Sequence, residues 1–84
     1  MTTPQTADVT IHTLDVQGLR CPLPVLKAAK VLRGLGPGDE LVALATDPMA
    51  ELDFQHFCTQ GGHQFLGVEH GGDGVLTIRI RKGA

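Results

Sequence analysis

Val9 to Ala45 reads VTIHTLDVQGLRCPLPVLKAAKVLRGLGPGDELVALA, and the reading of this stretch decides the fold. Val9 to Val16 alternates: Val9, Ile11 and Thr13 fall on one side, Thr10, His12 and Leu14 on the other. A period of two is the mark of a strand. Gln17-Gly18-Leu19-Arg20 follows as a loop, with Gly18 as its flexible point. Cys21-Pro22-Leu23-Pro24 leads into a helix over Val25 to Gly34. Proline suits a first helical turn, where its missing N–H would have had no partner. Val25, Ala28, Ala29 and Leu32 recur at i, i+3, i+4 and i+7 as one apolar face, while Lys27, Lys30 and Arg33 fall on another. Gly34, Gly36, Pro37 and Gly38 stop the helix. Asp39 to Thr46 holds the apolar run Leu41 to Ala45, which reads as a buried central strand. Strand, helix and strand in that order predict a right-handed crossover between parallel neighbours.

The remaining chain extends this unit. Asp47-Pro48 opens a second helix, with Asp47 as its cap and Pro48 in its first position. Ala50, Phe54, Phe57 and Cys58, at i, i+4, i+7 and i+8, form a core stripe that Gly61-Gly62 ends. Gln64 to His70 and Val75 to Lys82 make a hairpin around Gly71-Gly72-Asp73-Gly74. Leu76, Ile78 and Ile80 point one way, and Thr77, Arg79 and Arg81 the other. The order β-α-β-α-β-β predicts an α/β (α+β) two-layer sandwich. Its mixed four-stranded sheet carries both helices on one face and leaves the other partly wet. Residues 1–8 are expected to be a flexible tail and 9–84 a single domain.

Composition narrows the function. With 84 residues, 42% hydrophobic and a net charge of −2, the chain reads as one small globular domain. No apolar run is long enough to span a membrane, and Met1 to Asp8 lacks a secretory signal pattern. Seven Lys plus Arg against nine Asp plus Glu, with no Trp or Tyr, argue against direct nucleic-acid binding. Two cysteines are too few for a disulfide scaffold, so a reducing cytoplasm and free thiols are expected.

Reactivity then becomes the question, and Cys21 is the position that answers it. It falls at a strand-to-helix junction, where helical N–H groups favour a thiolate. Arg20 beside it adds a positive charge. Pro22 and Pro24 have no N–H, which leaves Leu23 as the local donor to the sulfur. A thiolate held but not tied down can be reached by a partner.

The stretch Leu14-Asp15-Val16-Gln17-Gly18-Leu19-Arg20-Cys21-Pro22-Leu23-Pro24 resembles the signature of the TusA family of sulfur carriers, marked by Cys-Pro-x-Pro in this setting. The resemblance runs on through Pro37-Gly38-Asp39-Glu40, Asp47-Pro48, Phe57-Cys58 and the closing Ile80-Arg81-Lys82-Gly83. It implies the two-layer sandwich also seen in the C-terminal domain of translation initiation factor three. It implies that Cys21 carries a persulfide, with Arg20, Pro22, Pro24 and Asp47 as its motif and support. The donor it implies is a cysteine desulfurase or a rhodanese, and the acceptor a DsrE/TusD-like protein. The pathways are tRNA thiolation, molybdenum cofactor synthesis or sulfur oxidation. No cofactor is implied beyond the covalent persulfide. The chain agrees in having no phosphate-binding loop: Gly34-Leu35-Gly36-Pro37-Gly38 has the wrong spacing and follows a helix.

Other residues are weighed beside Cys21. Cys58 is a possible secondary thiol, but its place on the Phe54/Phe57 stripe reads first as packing. His56, Cys58, His63 and His70 match no structural-zinc spacing, so no metal is expected. Lys27, Lys30 and Arg33 form a basic stripe suited to docking on an acidic protein surface. Asp47 is expected near Cys21, since both strand-to-helix junctions share one sheet edge. A carboxylate there opposes thiolate formation. The alternative function is a non-catalytic regulatory or interaction module of the same fold. A thiol redox protein would carry a C-x-x-C pair, which is missing.

Overall fold

The computed structural model describes residues 9–83, so the tail expected at residues 1–8 lies outside the described residues. The strands are β1 (Ile11–Val16), β2 (Glu40–Ala45), β3 (Gln64–His70) and β4 (Leu76–Arg81). The helices are α1 (Leu23–Arg33) and α2 (Ala50–Gly61). The sheet order is β1-β2-β4-β3, with β1 parallel to β2 and the other pairs antiparallel. This is the expected mixed sheet. Helix α1 packs over β1 and β2, and α2 over β3 and β4.

The core lies between helices and sheet. From the sheet come Val16, Leu41, Ala43, Ala45, Leu76, Ile78 and Ile80; from the helices come Ala28, Leu32, Ala50, Phe54 and Cys58. Pairing stacks them in rows: Ala43 lies between Leu14 and Ile78, and Ala45 between Val16 and Leu76. Four of the core residues, Ala28, Ala43, Ala45 and Ala50, are alanines, whose short side chains let helices and sheet pack closely. On the other face, Glu40 accepts from Arg81 at 3.1 Å, and Arg79 is exposed.

Strands β2 and β4 are each one residue shorter at both ends than the sequence reading, α1 stops one residue earlier, at Arg33, and the starts of β1, α1 and α2 move further. Strand β1 begins at Ile11 rather than Val9, and its exposed side is that of Val9 and Ile11; Leu14 and Val16 face the core. Helix α1 begins two residues early, at Leu23, with Pro22 as N-cap. Helix α2 begins at Ala50 with Met49 as N-cap, so Pro48 precedes the helix and Asp47 is not its cap. Its end is as read: Gly62, at φ +75°, takes the left-handed conformation that closes the helix. Strand β3 has the expected limits and bulges between Phe65 and Gly67.

The far ends of the strands are laced together. Asp39 Oδ1 accepts from the Thr10 N–H at 3.1 Å, and Lys82 N–H donates to the Asp39 carbonyl at 2.8 Å. The carboxyl ends of β1 and β2 lie at the opposite edge. They feed the two loops that build the site.

Candidate functional site

Two loops meet where β1 and β2 end. The first turns at Gly18, whose φ of +82° favours glycine. Gly18 N–H donates to Thr46 Oγ1 of the second loop at 2.8 Å. Cys21 N–H donates to Asp47 Oδ2 at 2.7 Å, while Asp47 Oδ1 accepts from Met49 N–H at 3.0 Å. One carboxylate therefore fixes both loops. Its pKa is held below the usual carboxylate range by the Met49 and Cys21 N–H groups, with a smaller contribution from Arg20.

Cys21 itself is exposed and forms no disulfide. The Cys21–Pro22 peptide is cis. The expected thiolate is not what this setting favours. The thiol pKa is raised above its ordinary value, first by Asp53 accepting the thiol proton, then by partial desolvation and the negative charges of Asp53 and Asp47. Asp53 reaches the thiol from α2, across a cavity that the two residues line together.

The donors assigned to the sulfur are also otherwise engaged. Leu23 N–H donates to the Arg20 carbonyl at 2.8 Å. Arg20 acts on Asp47, helping to keep that carboxylate charged. Pro22 and Pro24 shape the first turn: Leu26 N–H reaches the Pro22 carbonyl at 3.1 Å, and Pro24 is buried.

Two hollows flank Cys21. A cavity of about 220 Å³ holds Cys21, Pro22 and Val25 on one wall and Asp53, His56, Phe57 and Gln60 on the other. The α2 wall is one helical face, at i, i+3, i+4 and i+7. A larger hollow of about 500 Å³ lies between the Gly18–Arg20 and Thr46–Met49 segments and does not include Cys21. The smaller one is the candidate site, because a nucleophile and ionisable groups line it together. Sequence reading had passed over Asp53, Phe57's outer edge and Gln60. Their helical spacing beside the core stripe was the available signal.

The other expected residues are placed as follows. Cys58 is 2% exposed, and burial pushes its pKa up to about 11, so it is a core thiol on the packed face of α2. Lys27, Lys30 and Arg33 are exposed on α1 and make no ion pair among the described residues. Leu23 and Leu26, 47% and 57% exposed, continue their side of the helix toward Cys21. The histidines separate: His56 borders the Cys21 cavity, His63 accepts from Gly83 N–H, and His70 pairs with Glu51 at 3.1 Å. Among the described residues, no three His, Cys, Asp or Glu side chains converge as metal ligands.

Comparison with known proteins gives the family and supports the fold. Residues 12–82 match the family model described as Sulfurtransferase TusA. Two Neisseria meningitidis proteins, from serogroups A and B, are each named "Putative sulfur carrier protein". Each is 49% identical over 70 residues, which cover 83% of this chain and 93% of the relative. The crystal structure of a SirA-like protein from Desulfitobacterium hafniense superposes with a TM-score of 0.77. It is 29% identical and the match covers 89% of this chain and 100% of that one.

Proposed function

Since the chain belongs to the TusA family, we propose that it carries sulfane sulfur as a persulfide on Cys21, taken from one protein and given to another. The observation that carries this reading is an exposed thiol on a loop pinned through its own backbone to Asp47. Pinning by N–H leaves the sulfur free to gain an atom and to be reached from outside.

The step is a thiol–persulfide exchange. Cys21 sulfur attacks the outer sulfur of a donor persulfide, R–S–SH. A new S–S bond forms at Cys21, and the donor's S–S bond breaks. Its electron pair leaves on the donor's inner sulfur, which ends as R–SH, and Cys21 ends as Cys21–S–SH. Nothing is oxidised or reduced overall, and the rate depends on access and thiolate fraction. The second exchange repeats the first with an acceptor cysteine as attacker.

A desulfurase or rhodanese-type donor and a DsrE/TusD-like acceptor suit this chemistry, because each presents sulfur on a cysteine. The exposed Leu23 and Leu26 beside Cys21, followed by Lys27, Lys30 and Arg33, suit docking onto a protein surface with an apolar centre and an acidic rim. The two free thiols suit a reducing cytoplasm. No helix among the described residues is long and apolar enough to cross a membrane.

The test is mass spectrometry of the protein mixed with a cysteine desulfurase and cysteine. The carrier gains one sulfur at Cys21, and Cys21→Ser gains none while binding its partner normally. The serine variant keeps the Asp47 tether, which uses only the backbone N–H. A wild-type chain that binds partners yet never gains sulfur would instead be an interaction module.

A further inference from the structure

The raised thiol pKa poses a problem for a sulfur carrier, since the neutral thiol is a poor nucleophile. Some group must remove the proton when sulfur arrives. We propose that Asp53, facing Cys21 from α2 across the shared cavity, accepts that proton and so makes the docked carrier nucleophilic. This rests on the carrier reading above.

The cavity's composition singles out Asp53. Asp47 from the β2–α2 loop acts on the sulfur by its charge, Asp53 and His56 from α2 line its cavity, and Arg20 precedes it in the chain and acts on Asp47. Arg20 has no proton-accepting atom. Both oxygens of Asp47 are occupied by the Cys21 and Met49 N–H groups, and those bonds favour its charged form. Gln60 cannot take a proton, and His56 is exposed at the cavity mouth. Asp53 is half-buried, its carboxylate makes no hydrogen bond or ion pair to other described side chains or backbone, and it is the largest single influence on the thiol. Val25 and Phe57 supply apolar walls, so a docked partner that excludes water strengthens every electrostatic interaction inside.

The proton balance is complete. The thiol proton passes to the Asp53 carboxylate as Cys21 sulfur attacks the outer sulfur of R–S–SH. Neutralising Asp53 at that moment also removes a negative charge from beside the developing persulfide. The proton then passes to the donor's departing inner sulfur, leaving R–SH, Cys21–S–SH and an ionised Asp53. In the resting chain the same carboxylate keeps the empty thiol protonated and slow toward small electrophiles.

Two readouts on the full chain separate this role from a structural one. The first is the pH profile of Cys21 alkylation by iodoacetamide. The second is single-turnover sulfur acceptance from a persulfidated cysteine desulfurase, followed by mass. Asp53→Asn should alkylate several-fold faster at neutral pH, because the charge opposing the thiolate is gone. It should accept sulfur about 100-fold more slowly, the lower end of what a positioned acid–base group contributes. Asp53→Glu should recover acceptance, and Asp53→Ser, which also cannot take the proton, should repeat the asparagine split. Opposite movement of the two rates supports the assignment. If both rates rise, Asp53 only restrains the thiol and the proposal fails; if acceptance is unchanged in Asn and Ser variants, it also fails. If wild-type protein accepts no sulfur at all, the carrier reading itself has failed.

Discussion

Cys21 and Asp47 are joined by a 2.7 Å hydrogen bond from the backbone N–H of one to the carboxylate of the other. The nucleophile's loop is thus held to the loop that opens α2, without using the sulfur. Replacing Asp47 with Asn keeps the shape but leaves a single acceptor oxygen, so one of the two N–H groups faces an amide NH2 that cannot accept. Asp47→Asn should fold, retain alkylation at Cys21, and lose about tenfold in sulfur acceptance through looser positioning. Single-turnover transfer beside a crystal or NMR check of the loop is the measurement. Unchanged transfer would show that the tether is dispensable.

The two thiols should differ sharply in reactivity. Cys21 is exposed, while Cys58 is 2% exposed with its pKa pushed to about 11. In native protein at neutral pH, Cys21 should alkylate on the order of 100-fold faster, and denaturant should abolish the difference. Peptide mapping after timed quenching reads it. Cys21 alkylation should also keep rising above pH 9, because its pKa is raised and not lowered. A plateau below pH 8 would contradict the Asp53 effect.

Cys58→Ser should damage the fold and spare the chemistry. A hydroxyl on the packed side of α2 beside Phe54 costs about 1–3 kcal/mol if it finds no partner. Denaturant melts should show that loss, and the folded fraction should transfer sulfur normally. Loss of transfer with a normal melt would give Cys58 a part in the relay.

Charge reversal at Lys27 and Lys30 should slow sulfur acceptance several-fold at low salt and little at high salt, since both are exposed and screening removes steering. Stability should hardly move, because neither makes an ion pair among the described residues. A salt-independent defect would place these lysines in direct contact with the partner.

Stability should fall in two stages as pH falls. Burial holds the His63 pKa below its ordinary value, with Lys82 adding to the effect. The unfolded chain therefore takes up that proton first, near about 6.5, and stability declines from there until folded His63 also titrates. Asp39 and Asp47 are held below the usual range by N–H groups, those of Gly36 and Thr10 for Asp39 and of Met49 and Cys21 for Asp47. Their contribution is present above about 3.9 and is lost as pH falls through the folded values. Urea midpoints across pH 8 to 2 should show both stages, and His63→Gln should remove only the first.

The architecture was legible because its signals are local. Alternation marked Leu76, Ile78 and Ile80 as one face, and all three are buried. Helical spacing marked Ala28 and Leu32, and glycine at position 62 marked the end of α2. The start of α2 was misplaced because Asp-Pro looks the same whether the carboxylate caps its own helix or reaches another loop, as Asp47 does. The acidity of Cys21 was read with the wrong sign for a related reason. Its helix position and Arg20 are visible in sequence, whereas Asp53 acts from α2, and only tertiary packing brings the two together. A polar residue beside an apolar stripe is indistinguishable in sequence from one that faces water.

The lacing at the far end of the sheet has a practical reach. Thr10 and Lys82 both bond to Asp39, so the two ends of the described chain emerge side by side, across the length of the strands from Cys21. A neighbouring domain, a tag or a surface anchor attached through either end would leave the sulfur facing outward. The same geometry permits a circularly permuted chain, opened at the exposed Gly71–Gly74 turn and closed by a short linker between the old ends, in which the loops around Cys21 keep their order.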